Sequence, residues 1–415
     1  MSYLRYITNL KLHWQIFISM FLGIIAALIF KEDVLVVAPL GDIFIRLLKM
    51  VIVPLVFMSI SSGVAGVGDS KQLGRLGAKT LGYYFLTSIL AIFIGLTLAN
   101  LIQPGVGVTV PGNITEFDAS KLQQPGSIGN IIIRMIPTNP IKSMANGDVL
   151  GVIFFSIVFG FSITKLKGKP KTFLEDLVNS GFAAMMKLTS SIIKLAPIGV
   201  FGLISKVVAT QGLDLFKAVG MYMATIAIGL TIHLFIILPL VLYFFTRIDP
   251  RKHFKAMAAA MGMAFSSSSS GATLPVTIDC VENNAKVSNK ISSFVLPLGA
   301  TINMDGTALY ECAGVLFISQ ILGFDLSFAQ QFTIVITAFL ASVGAAAIPS
   351  AGLVMIFIVL DAVGLANHPS TALIVGTMLA VDRPLDMYRT VVNVFSDSVG
   401  SVIIAKSEGE NPLSD

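Results

Sequence analysis

The stretch SSSSSGATLP at residues 266–275 interrupts apolar sequence, and GAAAIPSAG at residues 344–352 does the same further along the chain. Each interruption is followed by a long apolar segment that contains polar residues: NMDGT at 303–307 after the first, and charged residues between 382 and 397 after the second. Unwound backbone and ionised side chains are tolerated at membrane depth only inside protein or beside water. Paired interruptions of this kind indicate the binding site of a secondary transporter.

The composition indicates an integral membrane protein. Of the 415 residues, 55% are hydrophobic and 12% are charged, and the mean hydropathy is +0.85, whereas soluble domains carry about 25% charged residues. The net charge of +5 is explained by basic loops that orient a membrane protein, so nucleic acid is not an expected partner.

The apolar sequence is sufficient for about eight spans of about 20 residues each. The predicted spans are 13–30, 41–68, 77–103, 148–165, 176–208, 215–246, 289–322 and 368–404, with interrupted segments at 252–284 and 327–363. The first span lacks a small-residue cleavage site after it, so we expect a retained span rather than a signal peptide.

The distribution of Lys and Arg predicts the orientation. Basic clusters fall on one side only if both interrupted segments enter the bilayer and return to the side they left, which places both termini in the cytoplasm. The halves of each segment, about 15 residues long, are too short for full spans. The prediction is therefore an all-α polytopic fold in the cell (inner or plasma) membrane with two re-entrant helical hairpins. The unit 252–322 and the unit 327–404 form an inverted repeat, which centres a site between the hairpin tips.

Polar residues of the last predicted span share one face. At about 100° per residue they fall within roughly a third of the helix circumference; they are Asp382, Asp386, Arg389, Thr390, Asn393 and Asp397. A charge at the bilayer centre costs at least about 2.5–3.5 kcal/mol. Arg389 suits a carboxylate, Asp386 suits an ammonium group, and a further carboxylate suits a hard cation. The pattern predicts an acidic amino acid as substrate; the alternative is an Asp–Arg ion-pair ladder without a ligand.

Other oxygen-bearing groups suit cation binding. NMDGT at 303–307 has a glycine in mid-span, where a helix can open and free its carbonyl groups. Tyr84, Thr87 and Ser88 place hydroxyl groups on neighbouring turns of the third span, although such hydroxyls often bond their own backbone. The serine run at 266–270 offers amides to an anionic group at a helix end; the alternative is a flexible linker.

Together these motifs resemble those of the dicarboxylate/amino acid:cation symporters, the glutamate/aspartate transporter family. The matching stretches are SSSSGATLP at 267–275, NMDGT at 303–307, AIPSAG at 347–352 and DxxRTxxNxxxD at 386–397, and the resemblance covers nearly the whole chain. It implies a homotrimer in the lipid bilayer whose transport core slides as an elevator. Residues 1–76 and 104–208 would form the scaffold. The core would comprise 77–103 and 209–408, with hairpins at 250–286 and 326–365, and 409–415 would be a cytoplasmic tail.

The resemblance also implies roles for single residues. Arg389 would bind the side-chain carboxylate of the substrate, and Asp386 and Asn393 its amino group. The implied substrate-binding residues are Ser267, Ser268, Ser269, Met304, Thr307, Ile348, Gly352, Asp386, Arg389, Thr390 and Asn393. One implied sodium site comprises Gly299, Asn303, Asn393 and Asp397; a second comprises Thr301, Ser342, Val343 and Ala345; a third comprises Tyr84, Thr87, Ser88, Asn303 and Asp305.

The chain departs from the family pattern at several positions near the candidate site. Relatives carry an arginine in the first hairpin tip or beside the position of Asp386, where this chain has serines and Met387. Arg383 is the candidate substitute. Glu311 occupies a position that carries protons in animal relatives, so proton co-transport, and by extension potassium counter-transport, are alternatives to a sodium-only cycle.

Functions of other classes fit less well. C4-dicarboxylate symport leaves Asp386 without a role, and an anion channel does not explain ligand-shaped charge pairs. The sequence Gly66-Val67-Gly68-Asp69 matches the loop of aspartyl intramembrane proteases, but no Tyr-Asp partner motif accompanies it, so an enzyme is not predicted. The choice between L-aspartate and L-glutamate stays open, because both substrates fit one arginine.

Overall fold

A computed structural model of the chain describes residues 12–66, 71–107, 133, 136–146, 149–211, 214–343 and 351–413, and all regular structure in these residues is helical. The α-helices are α1 (Leu12–Phe30), α2 (Ala38–Ala65), α3 (Lys71–Ile102), α4 (Pro140–Asn146), α5 (Val149–Lys165), α6 (Lys169–Ile193), α7 (Ala196–Gln211), α8 (Asp214–Ile232), α9 (Leu238–Thr246), α10 (Pro250–Ser267), α11 (Ser270–Asp279), α12 (Asn289–Ile302), α13 (Asp305–Ile321), α14 (Phe328–Val343), α15 (Ala351–Ala362) and α16 (Thr371–Ser407). A 3-10 helix, Lys31–Val37, joins α1 to α2, and π-helical turns occupy His233–Ile237 and Cys280–Asn284.

Several of these helices are long and apolar enough to cross a membrane. In the described part of the chain they are Trp14–Ala65, Arg75–Ile102 and Lys217–Thr246, and the pair Lys169–Ile193 and Ala196–Thr210 adds a fourth if it counts as one span. That pair is bent by 50°, where the single span 176–208 was predicted. Pro197 lies in the first turn of α7 and cannot donate to the preceding helix, which favours a new start there. The count of about eight spans stays a prediction.

The helices pack in two groups. One group consists of α1, α2, α5, α6 and α7, which contact each other. The other surrounds α13, whose residues from Asp305 to Ser319 are all buried, and includes α3, α8, α10 to α12 and α14 to α16. The groups meet mainly where α7 contacts α16 and where α15 contacts α2 and α5, with smaller contacts of α16 with α1 and α2, of α12 with α2 and of α14 with α5.

The serine run both ends α10 and begins α11. Ser268 has a φ of 51°, which stops α10, and the extended Ser269 accepts a hydrogen bond from the backbone N–H of Ala272 as the N-cap of α11. The two helices pack against each other. Asn284, in the π-helical turn after α11, donates to the carbonyl of Ala256 in α10 at 3.0 Å. The run is therefore an ordered helix-to-helix turn rather than a linker.

The helices on either side of the second interruption also pack against each other. α14 and α15 pack against each other and against α13, while their connection, residues 344–350, lies outside the described residues together with the predicted positions Ala345 and Ile348.

The residues after α16 fasten that helix to two neighbours. Glu408 accepts hydrogen bonds from Lys79, at 2.6 Å, and from Arg75. The hydrogen bond from Lys79 is the main reason that the pKa of the Glu408 carboxyl lies below its usual range. Glu410 accepts from the backbone N–H of Ser288 at 3.0 Å, so the tail also contacts the start of α12.

Candidate functional site

A cluster of ion pairs lies on the buried face of α16. Arg389 Nη1 is 3.0 Å from Asp382 Oδ1, and Arg389 Nη2 is 2.8 Å from Asp386 Oδ1. Arg383 Nη1 approaches the other oxygen of Asp386 at 3.4 Å. Arg389 is only 1% exposed, so its charge depends on these carboxylates for compensation. The predicted face of α16 therefore exists, and it contains a strongly coupled charge cluster.

The guanidinium of Arg389 is enclosed by residues from other helices. Its carbon lies 3.9 Å from the ring centroid of Tyr310, a cation–π arrangement. A Cβ added to Gly352 would lie 3.3 Å from Arg389 Cζ and 3.2 Å from Thr307 Cγ2. Because Gly352 has no side chain, the backbone of α15 can approach the guanidinium group of Arg389. Arg389, Thr307 and Gly352, which were predicted to contact one substrate, are neighbours.

Asn393 links α16 to the start of α13. Its Oδ1 accepts from the backbone N–H of Gly306 at 2.8 Å, and its Nδ2 donates to Thr307 Oγ1 at 3.3 Å. The first N–H groups of a helix lack internal partners, so Asn393 satisfies one of them. Thr390 instead donates to the backbone carbonyl of Asp386 at 2.7 Å.

The break between α12 and α13 lies beside a third buried carboxylate, that of Asp397 on α16. Asn303 and Met304 are non-helical, with φ of −102° and −117°. Asn303 Nδ2 donates to Asp397 Oδ1 at 2.9 Å. A Cβ on Gly299 would lie 2.4 Å from that same oxygen, so only glycine admits Asp397 here. Gly299, Asn303 and Asp397, predicted as one sodium site, are thus together, and Asn393 lies one turn from Asp397 on α16.

A further buried cluster surrounds Asp305. Thr87 Oγ1 and Ser88 Oγ donate to Asp305 Oδ1 at 3.2 and 2.8 Å. Ser396 Oγ donates to Asp305 Oδ2 at 2.6 Å, and His233 Nε2 lies 3.1 Å from the same oxygen. Thr87 Oγ1 is also 3.4 Å from Asn303 Oδ1. Hard oxygen atoms from α3, α13 and the α12–α13 break therefore converge, as a sodium site requires.

Other predicted ligands lie elsewhere. Tyr84 donates to the carbonyl of Val295 at 2.7 Å and lies beside Gly299 and Asp397 rather than bonding to Asp305. Thr301 and Ser342 bond carbonyls of their own helices, Leu298 at 3.0 Å and Phe339 at 2.8 Å. Val343 ends α14. The predicted site made from Thr301, Ser342, Val343 and Ala345 is therefore only partly within the described residues.

The serine tip presents hydroxyl groups in an ordered arrangement. Ser267 Oγ lies 2.9 Å from Thr273 Oγ1 and accepts from the backbone N–H of Ser269 at 3.2 Å. Ser268 Oγ is buried and has no hydrogen-bond partner among the described residues. α11, which this tip begins, contacts α16. This arrangement is compatible with the predicted contribution of Ser267, Ser268 and Ser269.

Glu311 lies in the middle of the buried helix α13. It is 0% exposed, and neither carboxylate oxygen has a hydrogen-bond partner among the described residues. An uncompensated carboxylate in such surroundings is costly, whereas the protonated acid is not. Whether Glu311 is ionised therefore depends on whether a cation or a hydrogen-bond donor lies beside it.

The sequence contained signals for residues that were not predicted. Ser396 lies about 20° beyond Arg389 around the α16 helix, so its position on the polar face could have been found. His233 is a histidine within an apolar span, which by itself suggests function. The position of Tyr310 under Arg389 could not have been found, because it depends on how α13 and α16 pack.

Comparison with known proteins identifies the family of the chain. Residues 12–407 match the model of the sodium:dicarboxylate symporter family. The chain belongs to this family. It is 38% identical to "Excitatory amino acid transporter 3" of Mus musculus, over 88% of this chain and 78% of that protein. It is 35% identical to "Proton/sodium-glutamate symport protein" of Bacillus caldotenax, over 97% and 96%, and 36% identical to "Proton/glutamate-aspartate symporter" of Escherichia coli, over 96% and 94%. As a member of the symporter family, the chain is a multi-pass membrane transporter and not an enzyme.

Proposed function

We propose that this chain takes up L-aspartate and L-glutamate by symport driven by the sodium gradient. The observation that carries the proposal is the charge cluster on α16, where one buried arginine lies between two carboxylates. The fixed charges match an acidic amino acid, which has carboxylates for Arg389 and an ammonium group for Asp386. The relatives named for glutamate and aspartate favour the same substrate class.

In this proposal the substrate lies between α16, α13 and the two interrupted segments. Arg389 binds the side-chain carboxylate, and Asp386 and Asn393 receive the amino group. The position of Gly352 supports this, because a Cβ there would lie against both Thr307 and Arg389. The remaining proposed contacts are Ser267, Ser268, Ser269, Met304, Ile348 and Thr390.

The proposed sodium ions bind beside this site. The Asp305 cluster with Thr87 and Ser88 is the best-supported cation site, because its oxygens already converge. Asp397 with Gly299 and Asn303 supplies another. Because sodium and substrate share the α12–α13 break and α16, binding of one should tighten binding of the other.

The proposed transport cycle is an elevator in a homotrimer. The group α1, α2, α5, α6 and α7 would be the static scaffold, and the helices around α13 would move against it. The chain would cross the plasma membrane about eight times, with both termini in the cytoplasm. The α10–α11 and α14–α15 pairs would be re-entrant hairpins that enter the membrane from opposite faces. The packing of the helices into two groups is the observation that supports relative movement.

We also propose that Glu311 carries a proton with the substrate. Its burial without hydrogen-bond partners in the described residues favours the protonated acid, and its neighbour Tyr310 lies under Arg389, so loading of the site changes its surroundings. Wild-type uptake should acidify the lumen of proteoliposomes, and Glu311→Gln should abolish this acidification while sparing sodium-dependent exchange. Uptake by the wild type without proton movement would leave a sodium-only cycle. Measuring uptake while the potassium concentration inside the proteoliposomes is varied tests potassium counter-transport.

The rival substrate is a C4-dicarboxylate, which the family's own name includes. Asp386 separates the two, because an amine-free substrate would place a second carboxylate beside Asp386, where an amino acid places an ammonium group. The test is uptake of labelled L-aspartate and labelled succinate into proteoliposomes, with sodium or choline outside. Sodium-dependent uptake of L-aspartate supports the proposal. Uptake of succinate alone supports the rival, and current without uptake supports an anion channel.

A further inference from the structure

Ser396 lies between the two carboxylates that we propose as sodium ligands. Its Oγ donates to Asp305 Oδ2 at 2.6 Å and accepts from Asn303 Nδ2 at 3.0 Å. The same Nδ2 donates to Asp397 Oδ1 at 2.9 Å. All four side chains are at most 2% exposed. A continuous line of hydrogen bonds therefore joins Asp305 to Asp397 through Ser396 and Asn303.

The direction of these hydrogen bonds follows from the chemistry of the groups. A serine hydroxyl has one proton and an ionised carboxylate can only accept, so the proton of Ser396 lies towards Asp305. Tyr83 Oη is 3.5 Å from Ser396 Oγ, but it donates to the backbone carbonyl of Ser396 at 2.9 Å. Ser396 Oγ therefore accepts from Asn303, which requires the amide nitrogen on that side. Asp397 requires the same orientation, so each of the two amide protons has an acceptor.

Because its nitrogen is held in this way, the amide oxygen of Asn303 faces the proposed cation site at Asp305. Asn303 Oδ1 is 3.4 Å from Thr87 Oγ1, which is itself 3.2 Å from Asp305 Oδ1. Oxygen atoms bind a hard cation, whereas the protons of an amide nitrogen repel it. The orientation of the amide thus decides whether Asn303 can act as a ligand at this site.

We propose that Ser396 is a positioning residue that holds the Asn303 amide with its oxygen towards the sodium site at Asp305. This role matters most when a second sodium ion is bound at Asp397, because that carboxylate then shares its oxygens with the ion while Ser396 still accepts from the amide nitrogen. Ser396 thereby makes binding of one sodium ion favour binding of the other. The inference rests on the proposed function and adds the residue that links its two sodium sites.

The experiment measures binding of sodium alone. Purified protein without substrate is melted in mixtures of sodium and choline, and the rise in melting temperature is followed as sodium replaces choline. Ser396→Ala takes an acceptor from Asn303 and a donor from Asp305. The sodium concentration for half the maximal rise should therefore increase by about fivefold or more. The Hill coefficient for sodium should fall, because the link between the two sites is lost.

Two comparisons separate this role from a general loss of stability. Ser319→Ala is the matched control, because Ser319 is also buried and donates to the carbonyl of Leu316 in its own helix at 2.8 Å; it should need no more sodium than the wild type. Thr87→Ala removes a group of the same sodium site. Combined with Ser396→Ala, it should raise the sodium requirement by clearly less than the product of the two single factors, since both substitutions disturb one site.

Each result decides the question. The inference is overturned if Ser396→Ala needs no more sodium than Ser319→Ala, if its Hill coefficient equals that of the wild type, or if the single factors of Ser396→Ala and Thr87→Ala multiply to within about twofold. Failure of the proposed function looks different. A wild type that sodium does not stabilise would refute sodium symport itself, and a wild type that binds sodium but not L-aspartate would refute only the proposed substrate, because the sodium titration contains none.

Discussion

Gly299→Ala is the substitution for which the structure makes the sharpest prediction. A Cβ at this position would lie 2.4 Å from Asp397 Oδ1 and 2.6 Å from both Asp397 Cγ and the Tyr84 hydroxyl. Asp397 is 2% exposed and holds a 2.9 Å hydrogen bond from Asn303, so it has little space in which to move. The added methyl group must displace the carboxylate, the tyrosine or the α12 backbone.

The expected loss of stability follows from three contributions. Overpacking a core costs about 1–3 kcal/mol, and disturbing a hydrogen bond to a charged group costs about 1.5–3 kcal/mol. Alanine gains about 1 kcal/mol over glycine in a helix. The net loss is about 1.5–5 kcal/mol. Since Asp397 is a proposed sodium ligand, the sodium concentration for half-maximal binding should also rise by about tenfold or more.

The assay combines thermal unfolding in detergent with sodium-dependent binding of L-aspartate. Gly220→Ala in α8 is the control, because a Cβ there would meet no atom within 4 Å, and it should be neutral or slightly stabilising. If Gly299→Ala melts no lower than Gly220→Ala and needs no more sodium than the wild type, the close approach of Asp397 to Gly299 is wrong.

Further predictions concern substrate charge, a cation ligand and the C-terminal contacts. Arg389→Cys should lose L-aspartate binding by about 2–5 kcal/mol, measured by calorimetry; unchanged affinity contradicts the assignment. Ser88→Ala removes the 2.8 Å hydrogen bond to Asp305 and should raise the sodium requirement several-fold without affecting substrate selectivity, which competition assays would check. Glu408→Gln should lower the melting temperature at neutral pH. Lys79 holds the pKa of Glu408 down, so the stabilisation exists above the unfolded pKa of about 4.3 and is lost as pH falls through the lower folded value. The difference from the wild type should therefore vanish in acid, and a difference independent of pH would contradict the ion pair.

The local parts of the site were predictable from the sequence. Helical periodicity alone placed Asp382, Asp386, Arg389 and Asn393 on one face, because the geometry of a helix depends only on its own residues. The ends of α10 and α11 also follow from the serine run, since serine caps helices through its own side chain.

Contacts between helices could not be predicted in the same way. Tyr84 was expected beside Asp305, yet it bonds Val295, because its rotamer is decided by how α3 packs on α12. The approach of His233 to Asp305 likewise depends on the placement of α8 and the π-helical turn that follows it. Periodicity fixes which face a residue occupies, but the neighbouring helix decides which atom it meets.

The position of α16 along the chain has a consequence for biosynthesis. This helix follows every other described helix, yet it supplies Asn393 to the backbone of Gly306, Ser396 to Asp305 and Asp397 to Asn303. While a ribosome is still making residues 371–407, α13 is already inserted with polar groups that have no partner from α16. A nascent chain stalled before this segment would therefore hold polar groups without partners inside the bilayer. Membrane chaperones and proteases act on chains in this state.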